Sequence, residues 1–252
     1  MRLNRFLAAA GLGSRRSCEA LIASGDVVIN GHKIDQLATQ VSEGDDVRVR
    51  GRRIQVNTPV YLILNKPRGF VVTRSDERSR RTIYDLLPPE FSHLSHVGRL
   101  DKDSEGLLLL TNDGALNQKL THPSHEIDKE YEVTLDKDFN PTDAAKLLSG
   151  IYIEGGRGRF ERIRSLSSKK LQVILRQGIK RQIRLMFYDL GYEVEKLVRT
   201  RIGKLTDPKM PLGTCRLLSK WEIESLTAQA TPKKKAVRKR PPARPKAPKK
   251  TA

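Results

Sequence analysis

Apolar residues near the head of the chain recur with a helical period. Leu3, Phe6, Leu7 and Ala10 fall on one face, and Gly11 and Gly13 follow as a stop. Ser14 stands in the N-cap position of a second helix that turns Cys18, Leu21 and Ile22 inward and Arg15 and Arg16 outward, ending at Ser24-Gly25-Asp26. Two short apolar runs then flank Asn30-Gly31, and because both central positions of a type I′ turn need positive φ, this pair predicts a hairpin. Beyond residue 56 the period shortens. The stretch PVYLILNKPRGFVVT predicts two buried strands joined by a turn carrying Lys66, Pro67, Arg68 and Gly69. Leu107 to Leu110 predict a strand buried on both faces, after which Asn112 or Asp113 can cap a short helix with Leu116 and Leu120 on one side, closed before Pro123. KEYEVTL and KKLQVILR predict strands, while Ile183, Met186, Phe187 and Leu190 mark one face of a helix that stops at Gly191.

These elements divide the chain into a small helical and hairpin unit (1–56), a strand-rich α+β domain without regular βαβ alternation (57–226), and a tail (227–252). The tail holds ten Lys and Arg, no acids and no large apolar residue beyond Val237, so it buries too little to offset chain entropy and is expected to be disordered. The whole chain carries +19, and without the tail 38 basic residues still face 29 acidic ones, a net of +9. A basic body of this kind points to a polyanionic partner, nucleic acid before membrane. No apolar run approaches the roughly 18 residues that span a bilayer, and the N-terminus lacks a signal-peptide pattern, so the expected compartment is the cytoplasm. Cys18 and Cys215 stand far apart without a CxxC pair and read as packing residues. Asp101, Asp103 and Glu105 lack the spacing of an EF-hand loop, and His122 and His125 sit across a proline, so no metal site is expected.

Three placements of charge or aromatic surface gain little from folding alone. Asp101 lies six residues before the all-leucine run, after a Gly98 that permits a tight turn, and a carboxylate so near apolar surface needs a cationic partner. Lys180, Arg181 and Arg184 occupy the expected first turns of the late helix, the end where the macrodipole disfavours cations. Arg184 falls at the border of that helix's apolar face, where its fork could reach a buried carboxylate, and Lys180 and Arg181 point outward. Tyr131 shares a strand face with Lys129 and Val133.

The pattern RLNRFLAAAGLGSRR followed by LI, a glycine and VING resembles the alpha-L, or S4-like, RNA-binding domain, which implies that Arg2, Arg5, Arg15 and Arg16 meet an RNA backbone. The blocks LNKPRG, GRLDKDSEGLLLLTNDG, LTHPSHEIDKEYEV, RQGIKRQIRLMF and VRTRIGKL resemble, in order and spacing, the bacterial pseudouridine synthases of the RsuA/RluB/RluF type. Ser104 stands where that family more often has Thr, and Gln177 where it commonly has Glu. The resemblance implies a catalytic domain with a mixed, largely antiparallel sheet and a cofactor-free isomerisation of uridine in ribosomal RNA by a monomer. In it Asp101 is nucleophile or base, Tyr131 stacks on the flipped uracil and Arg184 pairs with Asp101. It further implies that Lys66, Arg68, Arg99, Lys180 and Arg181 line the RNA groove, while Asp103 and Glu105 hold the loop. The opening residues look more like the branch acting on large-subunit RNA than the small-subunit one. A non-catalytic ribosome-assembly factor would share the basic body and tail but would have no use for Asp101, Tyr131 and Arg184 together.

Overall fold

The computed structural model describes residues 1–122, 125 and 127–229. Helices α1 (Leu3–Ala9) and α2 (Arg15–Ala23) pack Leu3, Leu7, Cys18 and Ile22 against Val27, Val47 and Val49 in a small core of their own. The Ser14 hydroxyl accepts the Ser17 N–H at 3.1 Å, so the expected cap is formed. Strands β1 (Val27–Ile29) and β2 (His32–Ile34) turn through Asn30 and Gly31 at φ 51° and 83°. A second left-handed pair at Arg50 and Gly51 joins β3 (Val47–Val49) to β4 (Arg52–Arg53), completing a sheet of order β2-β1-β3-β4.

The larger domain is built, among the described residues, on a nine-stranded sheet, beside which β9 (Ile151–Ile153) and β10 (Gly156–Gly158) form a separate antiparallel pair. Its main path runs β11 (Arg162–Ser165), β12 (Lys170–Leu175), β8 (Lys129–Leu135), β13 (Val194–Ile202), β7 (Glu105–Thr111), β5 (Tyr61–Lys66) and β15 (Cys215–Leu217), with β6 (Ser95–Val97) beside β7 and β14 (Leu205–Thr206) beside β13. Every pairing is antiparallel except β13 with β7, as expected of a mixed, largely antiparallel sheet. Strand β7 is buried along its whole length: Leu108 and Leu110 enter the core under α5 (Gln182–Asp189) and α4 (Asp143–Ser149), and Leu107 and Leu109 the core under α3 (Gly114–Thr121) and α6 (Lys220–Gln229). At about 2 kcal/mol for each buried leucine, this strand is the spine on which the Asp101 loop hangs. The Asp113 carboxylate caps α3, accepting the N–H groups of Ala115 and Leu116 at 2.9 Å each, and Gly191 ends α5 at φ 80°.

Three expectations need correction. The chain after Gly69 does not return as a strand: Val71 makes a single bridge to Thr82, and Gly69 donates to the Lys102 carbonyl, which ties this segment to the Asp101 loop instead of to β5. Lys180 and Arg181 precede the helix and do not ride in it, because Arg181 takes a left-handed φ of 55° as its N-cap, sparing α5 two cations at its positive end. Helix α6 continues to Gln229, three residues into the expected tail, and the remainder of that tail lies outside the described residues.

Candidate active site

A cleft of about 1200 Å³ opens beside the end of β7, and Asp101, Tyr131 and Arg184 all line it. They come from the loop before β7, from β8 and from α5, elements brought together by the sheet order β8-β13-β7 with α5 packed across it. Gly98 starts the loop at φ 68°, and the Ser104 N–H closes it on the Asp101 carbonyl at 3.1 Å.

The loop is gripped by its carbonyls. The Lys66 ammonium, fully buried at the end of β5, donates to the carbonyls of Ser104 at 2.7 Å, Asp101 at 3.0 Å, Pro67 at 3.1 Å and Lys102 at 3.3 Å. Arg184 Nη2 donates to the Asp103 carbonyl at 3.1 Å and its Nη1 to the Val194 carbonyl at 2.5 Å. Arg199 reaches from β13 to the Leu107 carbonyl at 2.6 Å through Nε and, more loosely at 3.5 Å, to that of Arg99 through Nη1. Three cations from three elements thus fix the backbone around Asp101, each well-made charge-assisted bond contributing on the order of 1.5–3 kcal/mol. The Asp101 side chain itself makes no hydrogen bond or ion pair within 4 Å among the described residues. A rigid backbone carrying an uncommitted carboxylate is what a nucleophile or base requires.

The expected Asp101–Arg184 ion pair is therefore absent, although the two are close enough to feel one another. Burial lowers the Arg184 guanidinium from its ordinary range, Arg181 lowers it further, and the carboxylates of Asp101 and Asp103 oppose the shift. Its fork is occupied by carbonyls because α5 presents it across the loop's backbone, and its Nε remains buried without a partner. Lys66 is also not a groove cation. Burial pushes its ammonium down to about 8, against the pull of Asp101, Asp103 and Glu105 and with the help of Arg199, and no part of it is exposed. Of the loop's other acids, Glu105 is buried and pairs with Lys196 at 3.4 Å, while Asp103 is exposed and serves through its carbonyl.

Tyr131 is 9% exposed and lies opposite Arg199 in the β8–β13 register, with its strand neighbour Lys129 also lining the cleft. Arg99, Lys180 and Arg181 are exposed on the cleft wall, and Arg68 is exposed in the turn after β5. Arg2, Arg5, Arg15 and Arg16 are exposed on the N-terminal helices, with Arg5 donating to Gln118 of the larger domain at 3.5 Å. Lys129 and Arg199 join the site without being among the residues that the sequence pattern singles out. Lys129 had a legible signal in its shared face with Tyr131, but Arg199 is placed only by the long-range pairing of β13 with both β7 and β8. The segment 73–81 also walls the cleft with Arg78 and Arg80, the latter held on Asp76 at 2.6 Å, and no periodicity in the chain announced it. No group of three or more His, Cys, Asp or Glu side chains suited to a metal occurs among the described residues, and none of their helices is long and apolar enough to cross a membrane.

Comparison with known proteins converges on one family. Residues 60–189 match the RNA pseudouridylate synthase model and residues 1–47 the S4 domain model. The chain is 37% identical to the ribosomal large subunit pseudouridine synthase B of Bacillus subtilis, over 91% of this chain and 96% of the relative, and 40% identical to an RNA pseudouridine synthase of Mycobacterium bovis over 90% and 92%. A crystal structure of a pseudouridylate synthase superimposes with a TM-score of 0.67 at 30% identity, covering 90% of this chain and 99% of the other. A match across both the RNA-binding module and the domain that holds the cleft leaves one assignment: the chain belongs to the RNA pseudouridylate synthase family, with an S4 domain at its N-terminus.

Proposed function

We propose that this enzyme isomerises a specific uridine of large-subunit ribosomal RNA to pseudouridine, with Asp101 as the group that acts on the ribose. The observation that carries the catalytic reading is the uncommitted Asp101 carboxylate on a backbone held by Lys66, Arg184 and Arg199 at the edge of the cleft. Breaking the bond between C1′ and N1 requires either attack on C1′ or removal of the C2′ proton, and a free carboxylate can do either. Tyr131 offers the ring on which the extruded uracil stacks, offsetting part of the few kcal/mol that extrusion costs. Arg184 serves as a positioning residue through the Asp103 carbonyl. The exposed cations Arg68, Arg99, Lys180 and Arg181 are taken to bind phosphates beside the cleft, and Arg2, Arg5, Arg15 and Arg16 to do so from the S4 domain. The large-subunit assignment is supported by the likeness to the ribosomal large subunit pseudouridine synthase B of Bacillus subtilis. A monomer working in the cytoplasm completes the reading.

The test has two arms. Both ribosomal RNAs, transcribed with uridine tritiated at carbon 5, are incubated with the protein, and tritium released from the large-subunit RNA alone is the expected result. Carbodiimide-blocked primer extension on ribosomal RNA from a strain lacking the gene then identifies the uridine. Release from small-subunit RNA only would overturn the substrate, and release by the Asp101→Asn variant would overturn the catalytic residue.

A further inference from the structure

The cleft holds more unused cationic donors than its backbone needs. Lys129 sits two residues before Tyr131 on β8, hence about 7 Å along the same face, and Arg199 stands across from Tyr131 on β13. The Lys129 ammonium reaches the carbonyls of Ile127 and Arg176 only at 3.4 Å each, the outer limit of a hydrogen bond, so its burial is poorly compensated. Arg199 is 3% exposed, and its Nη2 is buried with no partner. Lys66, buried in the same domain, is saturated by four carbonyls; these two groups are not.

On the reading of this cleft as the uridine site, we propose that Lys129, with the free Nη2 of Arg199, is the receptor that holds the detached uracil by its two carbonyl oxygens and stabilises its negative charge while the ring turns over.

The chemistry asks for such a receptor. When the C1′–N1 bond breaks, its electron pair stays on N1, and the uracil leaves as an anion with charge spread over O2 and O4. Asp101 meanwhile bonds C1′ or takes the C2′ proton, a change reversed when C5 bonds to C1′. The C5 proton then passes to solvent and N1 gains one, so nothing is oxidised or reduced. Exchanging N1 for C5 is a half-turn about the line through C6 and N3, and that half-turn also exchanges O2 with O4. One pair of donors beside Tyr131 therefore fits the ring before and after it moves. Fixed donors aimed at developing charge in a water-poor site are the strongest common source of rate enhancement.

Burial brings the Lys129 ammonium down to about 8, Arg199 adding to the shift and Asp128 opposing it. The charged groups that act on it are Arg199 from β13 and Asp128 beside it, with Tyr131 on its own strand, Arg176 after β12, and Asp101, Arg99, Lys180 and Arg181 lining the same cleft. Arg176 is itself engaged by Asp128 at 2.7 Å. Because the receptor must be cationic, turnover should be full below about pH 8 and fall as the pH rises through that value.

The experiment is single-turnover tritium release from the mixed ribosomal RNAs at saturating protein, between about pH 6.5 and 9.5, alongside steady-state kcat and KM. Lys129→Met should lower kcat about 100-fold at pH 7 with KM changed less than about threefold, the size of one lost charge-stabilising donor. Lys129→Arg, whose guanidinium stays protonated, should retain at least a tenth of the rate and lose the part of the fall near pH 8 that Lys129 contributes. Should Lys129→Met unfold, as circular dichroism would show, the wild-type and Lys129→Arg profiles decide the matter by themselves. A folded Lys129→Met enzyme with wild-type kcat, or a Lys129→Arg profile identical to the wild type's across this range, overturns the proposal alone, since any fall due to the buried Lys66, also near 8, is common to both. No release by the wild-type protein would overturn the isomerase reading and this proposal with it.

Discussion

The two domains spend their cations in opposite ways. In the S4 domain Arg2, Arg5, Arg15 and Arg16 lie in water on the helices, while the core beneath them is wholly apolar apart from the partly satisfied Asn4. In the larger domain Lys66 and Arg199 are buried, Lys129 and Arg184 half-buried, and all four turn toward backbone carbonyls. An exposed arginine costs the fold almost nothing and gains its value when a phosphate displaces counterions. A buried one carries a desolvation penalty that only well-placed acceptors offset, so its position is specified by the backbone around it. Net charge alone, equally visible in both regions, says nothing of this difference. It follows that the exposed cations of the first region should be removable at a cost in affinity, and the buried ones of the second at a cost in rate or stability.

The largest effect expected is at the carboxylate these cations surround. Asp101→Asn preserves size and loop, so single-turnover tritium release should fall by more than about 10⁴-fold, while RNA affinity in a filter-binding titration holds or rises as an anion leaves the cleft. Appreciable product would break the link between the gripped loop and catalysis.

Lys66→Met should come next. It leaves the carbonyls of Asp101 and Ser104 buried without their donor and should destabilise the domain by roughly 3 kcal/mol in urea unfolding. Arg68→Ala, two residues on and exposed, should shift the same curve by less than about 0.5 kcal/mol. Equal effects would erase the distinction between buried and exposed cations.

Arg184→Lys keeps the charge near Asp101 but cannot bridge the carbonyls of Val194 and Asp103 together. If bridging is its task, kcat should fall roughly 10- to 100-fold with little change in KM; a wild-type rate would mean that charge alone suffices. The smallest effect belongs to the S4 domain. Arg15→Ala with Arg16→Ala should weaken binding several-fold near physiological salt and reduce the slope of log K against log salt by roughly 1.5, with kcat on saturating RNA unchanged. An altered kcat would show that this domain does more than hold the RNA.

Much of the molecule was determined by the sequence alone, wherever a signal is local. The Ser14 cap, the Asn30-Gly31 turn, the Asp113 cap and the doubly buried leucine strand each depend on a few neighbouring residues, and each formed as the residue chemistry requires. The acidic loop before that strand was equally legible, because a carboxylate beside four leucines has to be accounted for. What only the tertiary structure decided is where the cations go. Lys66 reads in the chain as a turn residue, yet the segment after it leaves β5 to bond the Asp101 loop, and the lysine is carried inside. Arg184 reads as a partner for a carboxylate and becomes a clasp on carbonyls, and Arg199 gains its place only where β13 lies between β7 and β8. A side chain's charge is written in its formula. Which oxygen it meets depends on strands far apart in the chain coming into register, and no local pattern carries that information.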